Sequence, residues 1–285
     1  MKKTSKFKTR SKKNELVEQI KKDKVSFSVY LTLRLIVLVS LTFAILRGNY
    51  ENALLCLATL ILLLAPAFVE KKLKIELPTV LEVVVMCFIF AHTILGEIAC
   101  FYVRVPGWDT MLHTLNGFIC AGVGFSLIDL LNRHKRFKFE LSPMYVALVA
   151  FCFSMKVGVL WEFYEFGSDM LFHTDMQKDT VVKSITSVML DSTNSNVPIT
   201  VSSIERVTVN GGDLGLGGYL DIGLIDTMKD LLVNFVGAVS FSVSGFFYIK
   251  YRGKRSRVVE NFVPTVADTE GDFQTKEKEE KKHEK

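Results

Sequence analysis

The stretch N-A-L-L-C-L-A-T-L-I-L-L-L-A-P-A-F-V, from Asn52 to Val69, holds eighteen consecutive residues without a charge. A helix of that length runs about 27 Å at 1.5 Å per residue, close to the ~30 Å hydrocarbon core of a bilayer. Outward from it the pattern repeats. Five further apolar stretches run from Phe27 to Leu46, Pro78 to Phe101, Met111 to Leu131, Pro143 to Phe166 and Met228 to Ile249. The chain of 285 residues is 49% apolar yet 23% charged, so the two kinds of residue are segregated along it. The fold class expected is an all-α membrane protein, a six-helix transmembrane bundle.

Basic residues set the expected orientation, because short loops rich in Lys and Arg stay on the cytoplasmic side. Ten of them precede the first stretch, and Lys71, Lys72 and Lys74 follow the second. Arg133, Lys135, Arg136 and Lys138 follow the fourth, and Lys250, Arg252, Lys254, Arg255 and Arg257 follow the sixth. The intervening loops carry only Arg47, Arg104 and the scattered Lys178, Lys183 and Arg206. Both ends are therefore expected inside. This divides the chain into a basic cytoplasmic segment (1–26), five spans (27–166), an extracytoplasmic loop (167–225), a sixth span (226–251) and a charged, disordered cytoplasmic tail (252–285). The first span follows a long basic segment and lacks a small-x-small cleavage pattern, so it reads as a retained anchor.

Within the loop, Val181 to Met189 and Val197 to Val209 are rich in Val, Ile, Thr and Ser. Breaks at Asp191-Ser192-Thr193-Asn194 and Asn210-Gly211-Gly212-Asp213 make it a small β-rich insertion between helices five and six. The net charge of +5 lies beside the spans without Arg-aromatic interleaving. Its expected partners are the bilayer and its anionic headgroups, not nucleic acid. An envelope component is the partner the extracytoplasmic loop invites. The cysteines (Cys56, Cys87, Cys100, Cys120, Cys152) form no C-x-x-C pair and read as apolar filler. Gly211 to Gly218 joins no strand to a helix, and is a loop, not a nucleotide motif.

Ionisable residues inside spans cost about 2.5 to 3.5 kcal/mol each on insertion scales, so each needs a reason. Glu97 ends the third stretch, Asp109 and His113 begin the fourth, Glu162 and Glu165 end the fifth, and Asp226, Asp230 and Asn234 begin the sixth. All fall at one depth, the outer end. Residues three, four or seven apart share a helix face, which makes stripes of Asp109, His113, Asn116 and Gly117, of Glu162, Glu165 and Asp169, and of Asp226, Asp230, Asn234 and Gly237. Gly117 and Gly237 allow close helix approach. Residues near helix ends meet water, so Asp109, Glu165, Asp169 and Asp226 also read as ordinary interfacial groups. That reading fails for His113, Glu162, Asp230 and Asn234, which lie deeper.

Converging carboxylates repel unless a cation, shared protons or a basic side chain compensates. Two readings stay open: a hydrogen-bonded network that locks helices together, or one divalent ion held by His113, Glu162 and Asp230 with Glu165. That mixed O/N set suits Zn, Mn or Mg. Lys156 points about 120° from Glu162 and Arg34 lies near a span end, so both snorkel. His92 points about 140° from Glu97 and is expected as core filler.

The motifs W-D-T-M-L-H-T-L-N-G-F (Trp108 to Phe118), L-W-E-F-Y-E-F (Leu160 to Phe166), D-M-Q-K-D (Asp175 to Asp179) and G-L-I-D-T-M-K-D-L-L-V-N-F-V-G-A (Gly223 to Ala238) resemble the YjdF-type family of uncharacterised bacterial integral membrane proteins. The likeness extends from Arg34 to Lys250. A more distant similarity is to VanZ-like proteins, whose pattern matches Asp109 with His113, Glu162 or Glu165 with Gln177, and Asp230, Asn234, Gly237 and Ala238. This sequence departs from it by placing Gln177 well beyond the span and by the β-rich insertion. What the resemblance implies is a bacterial cytoplasmic membrane location and a cell-envelope role.

Three functions follow. A binding or structural cell-envelope protein requires least. A metal-dependent membrane enzyme acting on a lipid-linked envelope substrate would use His113, Glu162, Glu165 and Asp230 as catalytic candidates, with Glu162 as base. A small-molecule or ion transporter would need polar residues continuing through the inner half, which the sequence does not show.

Overall fold

A computed structural model describes residues 24–73, 75–133, 141–251, 259 and 261–266. The basic segment 1–23, most of the basic residues after the fourth and sixth spans, and the tail 267–285 lie outside the described residues.

Six helices are long and apolar enough to cross a membrane. α1 is Lys24–Leu46 and α2 is Tyr50–Leu62. The second span then turns at Leu63 and Leu64 and resumes as α3, Ala65–Leu73. Pro66 explains the turn, since it has no N–H to offer the Leu62 carbonyl four residues back. After strand β1 (Ile75–Glu76), α4 (Thr79–Phe90) continues into a π-helical stretch, Ala91–Ile98. Cys100, in the left-handed region at φ +59°, redirects the chain into the short α5, Phe101–Arg104.

The remaining spans are α6 (Trp108–Arg133), α7 (Pro143–Phe172) and, after the inserted loop, α8 (Leu224–Lys250). Ser142 caps α7, its hydroxyl accepting from the Tyr145 N–H, and Pro143 begins it, where no N–H is needed. α7 is six residues longer than the expected span, and α8 starts four earlier, so helix occupies both margins of the expected loop 167–225. At 30 residues α7 runs about 45 Å, more than a hydrocarbon core.

Apolar side chains sort the spans into two groups. Val37, Cys56, Leu63, Met86 and Ile94 form the core of the first three. Ala121, Phe125, Val146, Ala150, Ala238 and Phe241 form that of the last three. Facing pairs fix helix directions: Asn234 lies against Gly117 and Phe241 against Gly122, so α6 and α8 run parallel. Ser154 donates to the Gly117 carbonyl at 2.7 Å while Phe153 lies against Gly124, so α7 runs opposite to α6. A Cβ at Gly237 would meet the Thr114 carbonyl, and one at Gly117 the Asn234 carbonyl. Glycine is what lets these two backbones touch. Around them, large apolar residues such as Leu54, Ile61, Phe163 and Leu232 stay exposed, as lipid-facing residues do. Only Cys56 among the cysteines is a buried filler. Cys120 is half-buried, and Cys87, Cys100 and Cys152 lie exposed.

The inserted loop is β-rich, as expected, and built of separate antiparallel pairs. β2 (Val181–Val182) pairs with β7 (Tyr219–Leu220), β3 (Ile185–Ser187) with β4 (Ile199–Val201), and β5 (Thr208–Val209) with β6 (Gly212–Asp213). Asn210 and Gly211, both at positive φ, make the two-residue hairpin turn between β5 and β6. Asp191 fastens the turn after β3: the Thr193 hydroxyl and the N–H groups of Thr193, Ser195 and Val197 donate to its carboxylate. These bonds, led by the Thr193 hydroxyl, hold its carboxyl down at about 2.

The chain beyond α8 departs from the expected disorder over its described part. Val259 and Val263 are buried in the core of the last three helices, and β8 (Thr265–Val266) pairs with β1, Val266 opposite Ile75. Apolar burial at Val259, Phe262 and Val263 offsets the entropy of ordering this segment.

Candidate functional site

Helices α6 and α8 begin at one level, with Asp109 and Asp226 in their first turns, where a carboxylate meets the positive end of the helix dipole. α7 approaches from the other direction and brings Glu162 and Glu165 to the same level. His113, one turn inside α6, lies among them. Its Nε2 is 3.5 Å from Asp109 Oδ1 and 3.7 Å from Asp230 Oδ2, and its Nδ1 is 3.9 Å from Glu162 Oε1. The structure brings Asp109, His113 and Asp230 within 4.8 Å of one another, and likewise Glu162, Glu165 and Asp230. Asp230 is common to both groups.

Burial here is deep. Asp230 is 1% exposed, Glu162 5% and Glu165 7%. Glu165 Oε1 accepts from the Trp161 indole at 2.8 Å. Asp109 Oδ2, Glu162 Oε2 and Asp230 Oδ1 have no hydrogen-bond partner. Among the described residues, no Lys or Arg forms an ion pair with any of the four carboxylates.

One turn further along α8, Asn234 closes the floor. Asn116 donates to its Oδ1 at 3.4 Å, and its own Nδ2 reaches Met155 Sδ at 3.6 Å. A Cβ at Gly158 would stand 2.7 Å from that Nδ2, so α7 comes close because this residue is glycine. Asn234 thus belongs to a polar helix junction beneath the carboxylates.

Two expected members hold the roof instead. Asp169 accepts from the Thr174 hydroxyl and from the N–H groups of Met176 and Gln177, at 2.7 to 2.9 Å. Asp226 accepts from the Lys178 N–H at 2.8 Å. Together they fold the chain after α7 back over the helix ends, where Gln177 donates to the Thr227 hydroxyl at 2.5 Å. Gln177, distant in sequence from the span, thereby stands beside Glu162.

The third span meets the site with the face opposite to the one expected. Glu97 is exposed and stays out of the group. His92, expected as filler, packs edge-on against Trp161 at 5.3 Å and hydrogen-bonds through Nδ1 to the Tyr102 hydroxyl. His92 is half-buried and Glu97 exposed, and the rings of Trp161 and Tyr102 hold the imidazole. Glu97, near the helix end, faces outward where hydration removes the penalty. Burial pushes the Tyr102 phenol well up, so it remains a neutral hydroxyl facing His92. The signal available in sequence was aromatic: Trp161 next to Glu162, and Tyr102 just past a helix end. Lys156 is exposed, away from the site, as expected.

Six apolar helices enclosing a buried carboxylate–imidazole group at one end of their last three define a multi-pass α-helical membrane protein. The family model for DUF2238, described as predicted membrane proteins, matches residues 29–251, more than three quarters of the chain, and the chain belongs to that family. An uncharacterized protein of Thermotoga maritima is 28% identical over 107 residues, a match that covers 38% of this chain and 53% of that protein. The chain thus spans about half the length of that relative. No solved structure matches.

Proposed function

We propose that this chain is a metal-binding protein of the bacterial cytoplasmic membrane, with a divalent ion held by Asp109, His113 and Asp230 and with Glu162 and Glu165 beside it. One observation carries the reading: three buried carboxylate oxygens, on Asp109, Glu162 and Asp230, have no partner. A structural network would satisfy them, since hydrogen bonds are what make buried polar groups tolerable. The spacing argues the same way. The separations of 3.5 and 3.7 Å from His113 Nε2 to Asp109 and Asp230 are long for hydrogen bonds. They are near the edge of a coordination tetrahedron, about 3.4 Å for bonds of about 2.1 Å.

The charge asymmetry of the loops supports an N-in/C-in arrangement, which puts the site at the outer surface beneath the folded-back loop 173–180. The spacing of Asp109, His113, Asp230 and Asn234, with Gln177 returned to the helix ends, supports a cell-envelope role like that suggested by the YjdF-type and VanZ-like resemblance. Anionic headgroups then face the basic loops, and an envelope component meets the loop. The side chains of Asp109 and His113 remain 22% and 12% exposed. That favours a second reading, in which an ion-bound water hydrolyses a lipid-linked envelope substrate with Glu162 as base.

Elemental analysis of detergent-purified protein tests the proposal. At least one divalent ion per chain is expected, lost in Asp230→Asn. Wild-type protein that stays metal-free after incubation with Mn²⁺ and Zn²⁺ overturns it.

A further inference from the structure

We infer that the site is built for two divalent ions, with Asp230 as the carboxylate that bridges them. This rests on the metal-binding reading above and adds a second ion to it. The two side-chain groups, Asp109–His113–Asp230 and Glu162–Glu165–Asp230, share Asp230 alone. A bridging carboxylate gives one oxygen to each ion. Asp230 has that disposition: Oδ2 lies 3.7 Å from His113 Nε2, in the first group, while Oδ1 is buried without any partner. Asp230 is 1% exposed and Glu162, whose Oε2 is equally unpartnered, 5%. Each of these two nearly inaccessible carboxylates therefore keeps one oxygen without a hydrogen-bond partner.

The imidazole separates the groups. A neutral histidine offers a lone pair on one nitrogen and an N–H on the other. With Nε2 turned to Asp109 and Asp230, Nδ1–H points to Glu162 Oε1, 3.9 Å away. Glu162, in the second group, therefore lies on the side of the imidazole away from Asp109 and Asp230.

Charge leads to the same count. As metal ligands the four carboxylates would be ionised and, beside a neutral imidazole, bring four negative charges, with no Lys or Arg among the described residues in an ion pair with them. One divalent ion would leave two negative charges in a low-dielectric site, where uncompensated charge is costly. Two ions leave none. Each ion would have three protein ligands and at least one open position, the arrangement of reactive rather than structural sites. Carboxylate-bridged pairs stand about 3.5–4 Å apart and clamp both oxygens of a displacement at phosphorus or carbon. The carboxylate-rich set suits Mn²⁺, Mg²⁺ or Zn²⁺ over thiolate-selected ions.

Mn²⁺-loaded full-length protein in nanodiscs, measured by elemental analysis and electron paramagnetic resonance, tests this. Wild type is expected to hold two Mn²⁺ per chain with an exchange-coupled spectrum. Glu165→Gln and His113→Ala are each expected to retain one, with the six-line signal of an isolated ion, and Asp230→Asn to show no coupled spectrum. The wild-type count decides without any variant. One Mn²⁺ per chain with an isolated-ion signal overturns the pair while leaving the single-ion reading intact, and zero overturns both.

Discussion

At the level of Phe241, helices α6, α7 and α8 meet through rings; at the level of Asp230, about 16 Å along the same axis, they meet through carboxylates. The ring end is closed. Phe118 and Phe241 stand edge to face at 5.0 Å, Phe118 and Phe262 at 5.1 Å, and Phe125 and Phe241 at 5.9 Å, with Val259 and Val263 sealing the contact. The contacts there are mainly apolar, with Ser126 donating to the Phe262 carbonyl and the Ser242 hydroxyl buried without a partner. At the other end partners are missing, since three carboxylate oxygens are buried and unbonded. The contrast teaches that one end supplies cohesion while the other, on the metal-binding proposal, is shaped around an ion. A site adapted to a ligand is commonly unfavourable without it.

Removing a ring should have the largest effect. Phe241→Ala leaves a cavity among Phe118, Phe125 and Phe262 and is expected to cost about 3–5 kcal/mol, measured by reversible unfolding in mixed detergent. At the polar end the sign differs. In chelator, Asp230→Asn is expected to melt no lower than wild type, because it keeps the side-chain shape while removing a buried carboxyl group whose Oδ1 lacks a partner. A loss as large as that of Phe241→Ala would make the polar end a structural lock and end the contrast. With Mn²⁺ at a hundredfold excess over its Kd, wild type should gain about 2.7 kcal/mol and Asp230→Asn nothing.

Gly237→Ala should cost about 1–3 kcal/mol, since its methyl would meet the Thr114 carbonyl and push α6 and α8 apart at both levels. In the loop the effect is local. The Asp191 carboxyl titrates at about 2, below its usual 3.8, so its contribution is complete above that value and fades as pH falls toward 2. Protease cutting near residues 191–197 should rise over that interval in wild type and be high at neutral pH in Asp191→Ala. Smallest of all, Glu97→Gln should change neither metal content nor melting, because the side chain is exposed and outside both groups of the site.

The six spans were legible in the sequence because bilayer thickness imposes a length on apolar runs. The stripe from Asp109 to His113 and that from Asp230 to Asn234 were legible because helical spacing alone puts those residues on one face. Periodicity gives only relative directions within a helix, however. It assumed α-helical spacing from His92 to Glu97, where Ala91–Ile98 is π-helical, and could not say which of the two is buried, a choice made by the rings of Trp161 and Tyr102. Asp169 and Asp226 carried the same signal as the true cluster members, yet they bind backbone N–H groups of a loop whose return path no local pattern encodes. The pairing of β1 with β8 joins two very short segments far apart in the chain, and propensity says nothing of such a partnership.

The most direct measurement is an anomalous difference map from crystals of the full chain soaked in Mn²⁺. A peak enclosed by Asp109, His113 and Asp230, with a second beside Glu162 and Glu165, is the result expected. A map with density at the crystal surface alone, and carboxylates bonded to one another through protons, would contradict the account.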